Sequence, residues 1–244
     1  MVSWPELGTR VTVRYRRPVG SVPPLTDAVG HLLDVAPLVR VRTKNGAVVQ
    51  FAPEDAVALR TLSDTPVRAS EIRALEHAAA LAWPGAEQHW LDGWLLRAGN
   101  GVNSAVPLDP SANQAAIPAI ADWYRSRGLP ARLLIPERLL RLPDEGEHAN
   151  WMLVRDIHAG EPDQAVQDAA ALAAVTDAPD GTRWVGLSAA QSRPLCEALL
   201  AWGAARGATR GYIRVADGDT ATAALARSLG FVLHHHARYV TLNT

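Results

Sequence analysis

Asp219-Thr220-Ala221-Thr222-Ala223-Ala224-Leu225-Ala226-Arg227-Ser228-Leu229-Gly230-Phe231 lies between two strand-like runs, and its reading decides the fold of the C-terminal third. Thr220 to Leu229 is patterned as a helix, and Gly230 stops it because glycine accepts the left-handed backbone of a helix C-terminus. Gly211 to Val215 before it and Val232 to Thr241 after it read as strands. Upstream, Leu172 to Asp177 and Thr182 to Ala189 flank Pro179-Asp180-Gly181 as a β-hairpin. A helix from about Pro194 to Ala205, stopped near Gly207, joins the hairpin to the next strand. The order from 172 to 240 is hairpin, helix, strand, helix, strand.

Working outward, residues 67–157 alternate helix and strand. Ile72, Leu75, Ala78, Ala79 and Ala82 form the apolar face of a first helix for which Ser70 is the expected N-cap. Trp90 to Arg97 and Asn103 to Leu108 read as strands, and Ser111 to Arg127 as a helix shortened or kinked by Pro118. Ala131 to Ile135 is a strand, Pro136 to Leu140 a short helix, and Trp151 to Ile157 a further strand. Residues 1–62 are β-rich instead. Val11 to Tyr15, Ala28 to Val35, Val39 to Arg42 and Ala47 to Phe51 are short strands, with Lys44-Asn45-Gly46 as a hairpin turn and Pro53-Glu54-Asp55 as one helical turn. Strands this short and twisted close best as a small all-β, SH3-like barrel.

Composition bounds the function. Apolar residues are 48% of the 244, enough for sizeable cores, and the formal net charge of −1 creates no overall field for nucleic acid or an anionic membrane. A nucleic-acid partner is not expected. Arg14, Arg16 and Arg17 read as the solvated face of a strand. A single cysteine, Cys196, forms no internal disulfide and fits a cytoplasmic chain. No signal-peptide pattern and no bilayer-length apolar run occurs, so no membrane partner is expected.

The two halves after residue 67 repeat. Trp123-Tyr124-Arg125-Ser126-Arg127-Gly128 lies over Trp202-Gly203-Ala204-Ala205-Arg206-Gly207, each with an apolar helix before it and a strand after it. Tryptophan and Arg-Gly in the same register favour duplication over chance similarity of helix–glycine–strand units. The segments 67–157 and 168–244 are therefore read as two related halves.

The run from Asp219 to Phe231, in this order of elements, resembles the GNAT pattern Asn-x-x-A-x-x-L-Y-x-x-x-G-F. The resemblance implies an α/β (α+β) GNAT-like mixed sheet with flanking helices, preceded by the SH3-like barrel, and two tandem halves of which the first is degenerate. It implies an N-acetyltransferase in which a primary amine attacks acetyl-CoA directly. Leu187, Ser188 and Ala189 would lie beside the thioester. Ser192 and Arg193 would receive phosphate at the start of the following helix, where free amides and the dipole favour anions. Asp219 and Thr222 would meet the pantetheine arm. No metal is implied, and the barrel is a possible site for a protein partner.

The chain departs from that pattern in two places. Only Ala190-Gln191-Ser192-Arg193 joins strand to helix, without the family's glycines, and the family's frequent tyrosine acid falls at Ala226. These departures keep open a second reading, an inactive acyl-CoA-binding or protein-interaction module. Further contractions are read at Gly99-Asn100-Gly101-Val102 and between Ile157 and Leu172. Together they predict that the expressed protein carries segments beyond these 244 residues, which an intact mass of 26.2 kDa would refute. His234-His235-His236 sits on a strand, where the first and third point one way and the second the other, so a shared metal is disfavoured. One of these histidines, or Tyr239, is the candidate proton relay. Glu197 suits the helix dipole, and the eight tryptophans suit core packing.

Overall fold

The computed structural model describes residues 2–62, 67–142, 147–158, 172–188 and 192–242, with backbone alone at 147 and 148. The chain divides into two compact units, Met1–Pro66 and Val67–Thr244.

In the first unit, alternating apolar residues build β1 (Arg10–Arg16), β2 (Leu25–Asp34), β3 (Val39–Thr43), β4 (Val48–Phe51) and β5 (Ala56–Thr61). They form an antiparallel sheet in the order β4-β3-β2-β1-β5. Val11, Val13, Leu32, Val39, Val41 and Phe51 fill its core. Tyr15 of β1 stacks on Phe51 of β4 at 4.1 Å, so the sheet curls round its own interior. The strand β5 is absent from the sequence reading. Ala56-Val57-Ala58-Leu59-Arg60-Thr61 has weak alternation, and its pairing with β1 decides it. Arg14 meets Asp27 at 3.2 Å on the outer face, as a solvated strand face requires.

The second unit holds one nine-stranded sheet. Its strands are β6 (Glu87–Leu91), β7 (Trp94–Gly99), β8 (Val102–Pro107), β9 (Arg132–Pro136), β10 (Glu147–Asp156), β11 (Ala173–Asp177), β12 (Arg183–Leu187), β13 (Arg210–Ala216) and β14 (Val232–Thr241). Its helices are α1 (Ala69–Ala82), α2 (Ile117–Arg125), α3 (Arg193–Ala204) and α4 (Thr220–Ser228). The strand order is β11-β12-β13-β10-β14-β9-β8-β7-β6. From β11 to β7 the pairing types read the same in both directions. Each end has an antiparallel hairpin, then a parallel neighbour, then an antiparallel contact to a strand of the other half. Thus β10 pairs with β13 and β14 with β9, and β10 and β14 meet at the centre.

One helix serves both halves on one face of this sheet. Ala74, Leu75, Ala78 and Ala79 of α1 pack on Met152, Val154, Trp184 and Tyr212, while Ala80 packs on Leu95, Val106 and Leu134. On the opposite face α2 covers Leu96, Ala105 and Leu133, and α3 with α4 covers Val185, Ile213 and Val215.

Several local expectations are corrected. Ser70 lies inside α1; the helix begins after Arg68, whose amide donates to Glu71 Oε2 at 2.6 Å. Trp90 to Arg97 is two strands, because Asp92 and Gly93 both take positive φ and turn the chain between β6 and β7. Gly99-Asn100-Gly101-Val102 is no contraction. Asn100 and Gly101 also take positive φ (53° and 76°), and Gly99 pairs with Val102 to close an ordinary hairpin. Pro118 sits in the first turn of α2, where a missing amide costs nothing, so the expected helix is shortened to Ile117–Arg125 rather than kinked. Residues 137–139 form a turn, not the start of a helix, with Arg138 at φ 67°. Residues 159–171, the site of the other inter-element contraction, lie outside the described residues.

Candidate active site

The two parallel strands β12 and β13 pair through four registered positions, from Trp184↔Arg210 to Leu187↔Ile213. β13 then runs on through Arg214, Val215 and Ala216 with β10 as its registered partner. Leu187 therefore marks the point where the two neighbours part. The Ser188 amide donates to Leu172 O at 2.9 Å, which carries the β11–β12 ladder one residue further. Ala189 lies outside the described residues.

Past that point α3 begins. Ser192 is its N-cap, its Oγ accepting from the Leu195 amide, and Arg193 is its first residue. The Arg193 guanidinium donates to Ser228 O at 2.6 Å, which ties the start of α3 to the end of α4. Asp219 caps α4, its Oδ1 accepting from the Thr222 amide at 3.0 Å. Hydrogen bonds from the Thr222 side chain and backbone hold the Asp219 carboxyl below its usual range. Capping accounts for Ser192, Asp219 and Thr222 as they stand. Among the described residues, the groups at this end able to hold a phosphate are the capped start of α3 and Arg193, whose guanidinium is held by Ser228 O.

A second group of residues lies under α1, and most of it was not read from the sequence. Glu76 is fully buried on the apolar face of α1. Arg214 Nη2 donates to Glu76 Oε2 at 2.6 Å, and Arg214 Nη1 donates to Asn150 Oδ1 at 2.8 Å. His235 Nε2 lies 2.8 Å from Glu76 Oε1, and His235 Nδ1 lies 2.8 Å from His234 Nδ1. Burial alone would raise the Glu76 carboxyl, but the Arg214 charge and the His235 contact outweigh it and hold it at about 2. Burial, then the charges of His235 and Arg210, push His234 down to about 3. Burial also lowers His235, against the pull of Glu76. Both rings are therefore neutral near pH 7.

The contact between His234 and His235 corrects the expectation that adjacent strand residues point apart. Met152 pairs with His235 and Leu153 with Leu233, so the register slips by one residue and His234 is the extra one. This β-bulge swings His234 beside its neighbour. His236 packs edge-on against Trp151 instead. Tyr239, further along β14, is half-buried, with the Arg132 guanidinium 4.6 Å from its ring centroid. Arg97 extends the polar strip under the other half, donating to Trp83 O at 3.1 Å and to Ser104 Oγ at 3.0 Å. Glu197 pairs with Arg155 at 3.1 Å, an ion pair beyond the expected dipole effect. Among the described residues, no group of three or more His, Cys, Asp or Glu side chains is arranged to hold a metal.

A mixed sheet with flanking helices, two parallel neighbours followed by a capped helix, and a separate β-rich unit make a GNAT-like α/β architecture. The chain belongs to the family whose C-terminal model, described as probable histone acetyltransferase Rv0428c C-terminal, matches residues 69–171 and 165–240, and whose N-terminal Sm-like domain model matches residues 5–60. The small β-rich first unit expected from the sequence is thus matched by a model described as Sm-like. A Mycobacterium tuberculosis (strain ATCC 25618 / H37Rv) protein described as "Probable histone acetyltransferase Rv0428c" is 55% identical, over 98% of this chain and 97% of its own. That alignment spans 294 residues against a chain of 244, so dozens of its positions have no counterpart here. The two stretches of the family model meet at 165–171, within residues outside the described set. A solved GCN5-related N-acetyltransferase from Kribbella flavida matches 74% of this chain and 97% of its own, at 14% identity and TM-score 0.48. No helix among the described residues is long and apolar enough to cross a membrane.

Proposed function

We propose that the chain is an acetyl-CoA-dependent N-acetyltransferase whose C-terminal half receives the co-substrate. The observation that carries this reading is the end of β12–β13 pairing at Leu187↔Ile213, directly before a helix that begins with Ser192 and Arg193. Strands that part leave main-chain groups for an extended acyl arm, and a helix start favours the negative phosphates. Leu187, Ser188 and Ala189 border the arm, Ser192 and Arg193 receive the phosphates, and Asp219 with Thr222, at the opposite end of α4 from the Ser228 carbonyl that Arg193 holds, meets the pantetheine arm. Acetyl-CoA supplies the activated acyl group, and a primary amine accepts it. The relative's description as a probable histone acetyltransferase makes a protein lysine the first acceptor to try.

The tandem origin of the second unit belongs to the same proposal. It is supported by the pairing types that read alike in both directions between β11 and β7 and by the shared Trp and Arg-Gly register. The cytoplasm is the proposed compartment, and the Sm-like unit the proposed site for a protein partner. The glycine-free link and Ala226 favour the second reading, a chain that binds acyl-CoA without transfer. A thermal-shift titration with acetyl-CoA tests binding, and no stabilisation sinks both readings. Acetyl-CoA consumption with lysine peptides and small amines then separates enzyme from binder.

A further inference from the structure

Charge is unevenly spread along the chain. Residues 2–62 carry eight Arg and Lys against five Asp and Glu, whereas the whole chain carries 24 against 25. Register then sorts that excess onto one face of the first unit's sheet. Val11, Val13, Leu32, Val39, Val41 and Phe51 point inward. By alternation, Arg40 and Arg42 of β3 and Asp27, Val29 and His31 of β2 stand on the outer face. Arg10, His31, Arg42 and Val48 are registered as one row across β1, β2, β3 and β4. That row holds two arginines and a histidine but no carboxylate, so nothing within it offsets the arginine charge.

The neighbouring acids do not neutralise β3. Asp27 serves Arg14 at 3.2 Å on the β1 side. Asp34 lies opposite Arg40 in register, but its Oδ1 accepts from the Val35 and Ala36 amides at 2.9 and 3.4 Å. Arg40 and Arg42 are exposed and form no ion pair among the described residues. The same face exposes apolar surface beside them, Val29 at 41% and Val48 at 39%. It carries no Phe, Tyr or Trp, because Trp4, Tyr15 and Phe51 all pack into or against the core of this unit. Arginines interleaved with valines, without a stacking platform, suit carboxylates and aliphatic side chains better than nucleobases.

We propose that the outer face of β2, β3 and β4 docks an acidic segment of a partner protein, with carboxylates on Arg40 and Arg42 and aliphatic side chains on Val29 and Val48. This rests on the reading of the Sm-like unit as the site for a protein partner and is independent of acetyltransfer. A guanidinium fork takes a carboxylate through two parallel N–H donors, and attraction between exposed charges falls with salt. The face therefore selects by charge: it attracts an acidic segment and repels a lysine-rich one.

Fluorescence anisotropy on the full chain tests the proposal, with a labelled peptide of alternating glutamate and valine, about 12 residues long, as the probe. Binding is expected, weakened about tenfold as salt rises from about 50 to about 300 mM, with none for the lysine–valine counterpart. Arg40→Glu with Arg42→Glu is expected to weaken it at least about tenfold. Arg16→Glu with Arg17→Glu, an equal change of charge, is expected to weaken it less than about threefold. Thermal melts check that both variants fold. Arg40→Gln with Arg42→Gln, expected to weaken binding about threefold, replaces the charge reversal if that variant unfolds. Equal loss in the two pairs reduces binding to net charge and overturns the face. Binding that the Arg40 and Arg42 variant retains overturns the face and leaves the unit a partner site elsewhere. Tighter binding of duplex DNA, lost in the same variant, overturns the polypeptide in favour of nucleic acid. A chain that binds the lysine peptide instead overturns the acidic chemistry alone, and one that binds no probe overturns the partner-site reading with it.

Discussion

The two halves of the second unit share one topology but solve its packing in opposite ways. In the N-terminal half β8 and β9 share one registered position, Ala105↔Leu133, whereas β12 and β13 share four. The helix over the first pair leans on Tyr124, which is fully buried and whose hydroxyl donates to Arg97 O at 3.0 Å. The helix over the second pair approaches through Gly203, where an added Cβ would lie 2.5 Å from Val185 Cβ. A large helix residue over Ala105 and no side chain over Val185 reach the same closed core from opposite directions.

The loop ends differ in charge as well. After β8, Asp109 Oδ1 accepts from the Ser111 amide at 2.8 Å and from Ser111 Oγ at 2.5 Å. The Ser111 side chain and backbone hold the Asp109 carboxyl below its usual range, so a negative charge stands at this turn. At the start of α3, Ser192 is the cap and Arg193 follows it, where the repeat register puts the cap Asn113 and the neutral Gln114 in the first half. One topology thus presents a carboxylate at one end and an anion-friendly helix start at the other. Under the proposed duplication, local charge leaves only the second half's helix start suited to phosphate.

Four experiments would break or sharpen this contrast. Tyr124→Ala should have the largest effect, a loss of roughly 3–5 kcal/mol read from urea melts, because it empties the centre of the N-terminal core. Little change would mean that α2 does not depend on that anchor. Acidification comes next. His234 refuses a proton down to pH about 3 while the unfolded ring binds one below about 6.5. Glu76 is likewise held at about 2 against 4.5. In both cases the unfolded state binds more protons, so stability should fall with pH. The fall should run at up to about 1.4 kcal/mol per pH unit for each group, starting near pH 6.5 rather than in the carboxylate range. A flat stability between pH 7 and 5 would contradict the buried neutral histidine.

Gly203→Ala should cost about 1–3 kcal/mol by pushing α3 from Val185, and a melt unchanged from wild type would show that the close approach is not needed. The smallest effect separates the two loop ends. Arg193→Ala should weaken acetyl-CoA binding about tenfold, whereas Asp109→Ala should leave it within about twofold. Equal effects in calorimetric titration would dissolve the distinction between the halves.

Much of this was legible in the residues. The hairpin at Asp180-Gly181, the helices ended by Gly207 and Gly230, and the strands around Ile213 all stand where local patterning puts them. Asp92-Gly93 carried a hairpin signal that the reading merged into one strand. Glu76 was also visible in principle, as a carboxylate four residues from Ile72 on an apolar helix face. Its partners were not, because Arg214 and His235 are 138 and 159 positions away and His234 joins His235 only through a register slip.

The sequence by itself determined the elements, their order and the family, because helix and strand periods, turn glycines and the Asp219–Phe231 pattern are local properties. Only the tertiary structure decided which strands neighbour one another across the halves. It also decided that a one-residue bulge turns two histidines into a pair. Both outcomes depend on long-range hydrogen-bond register, in which a shift of one position reverses the face that a side chain occupies.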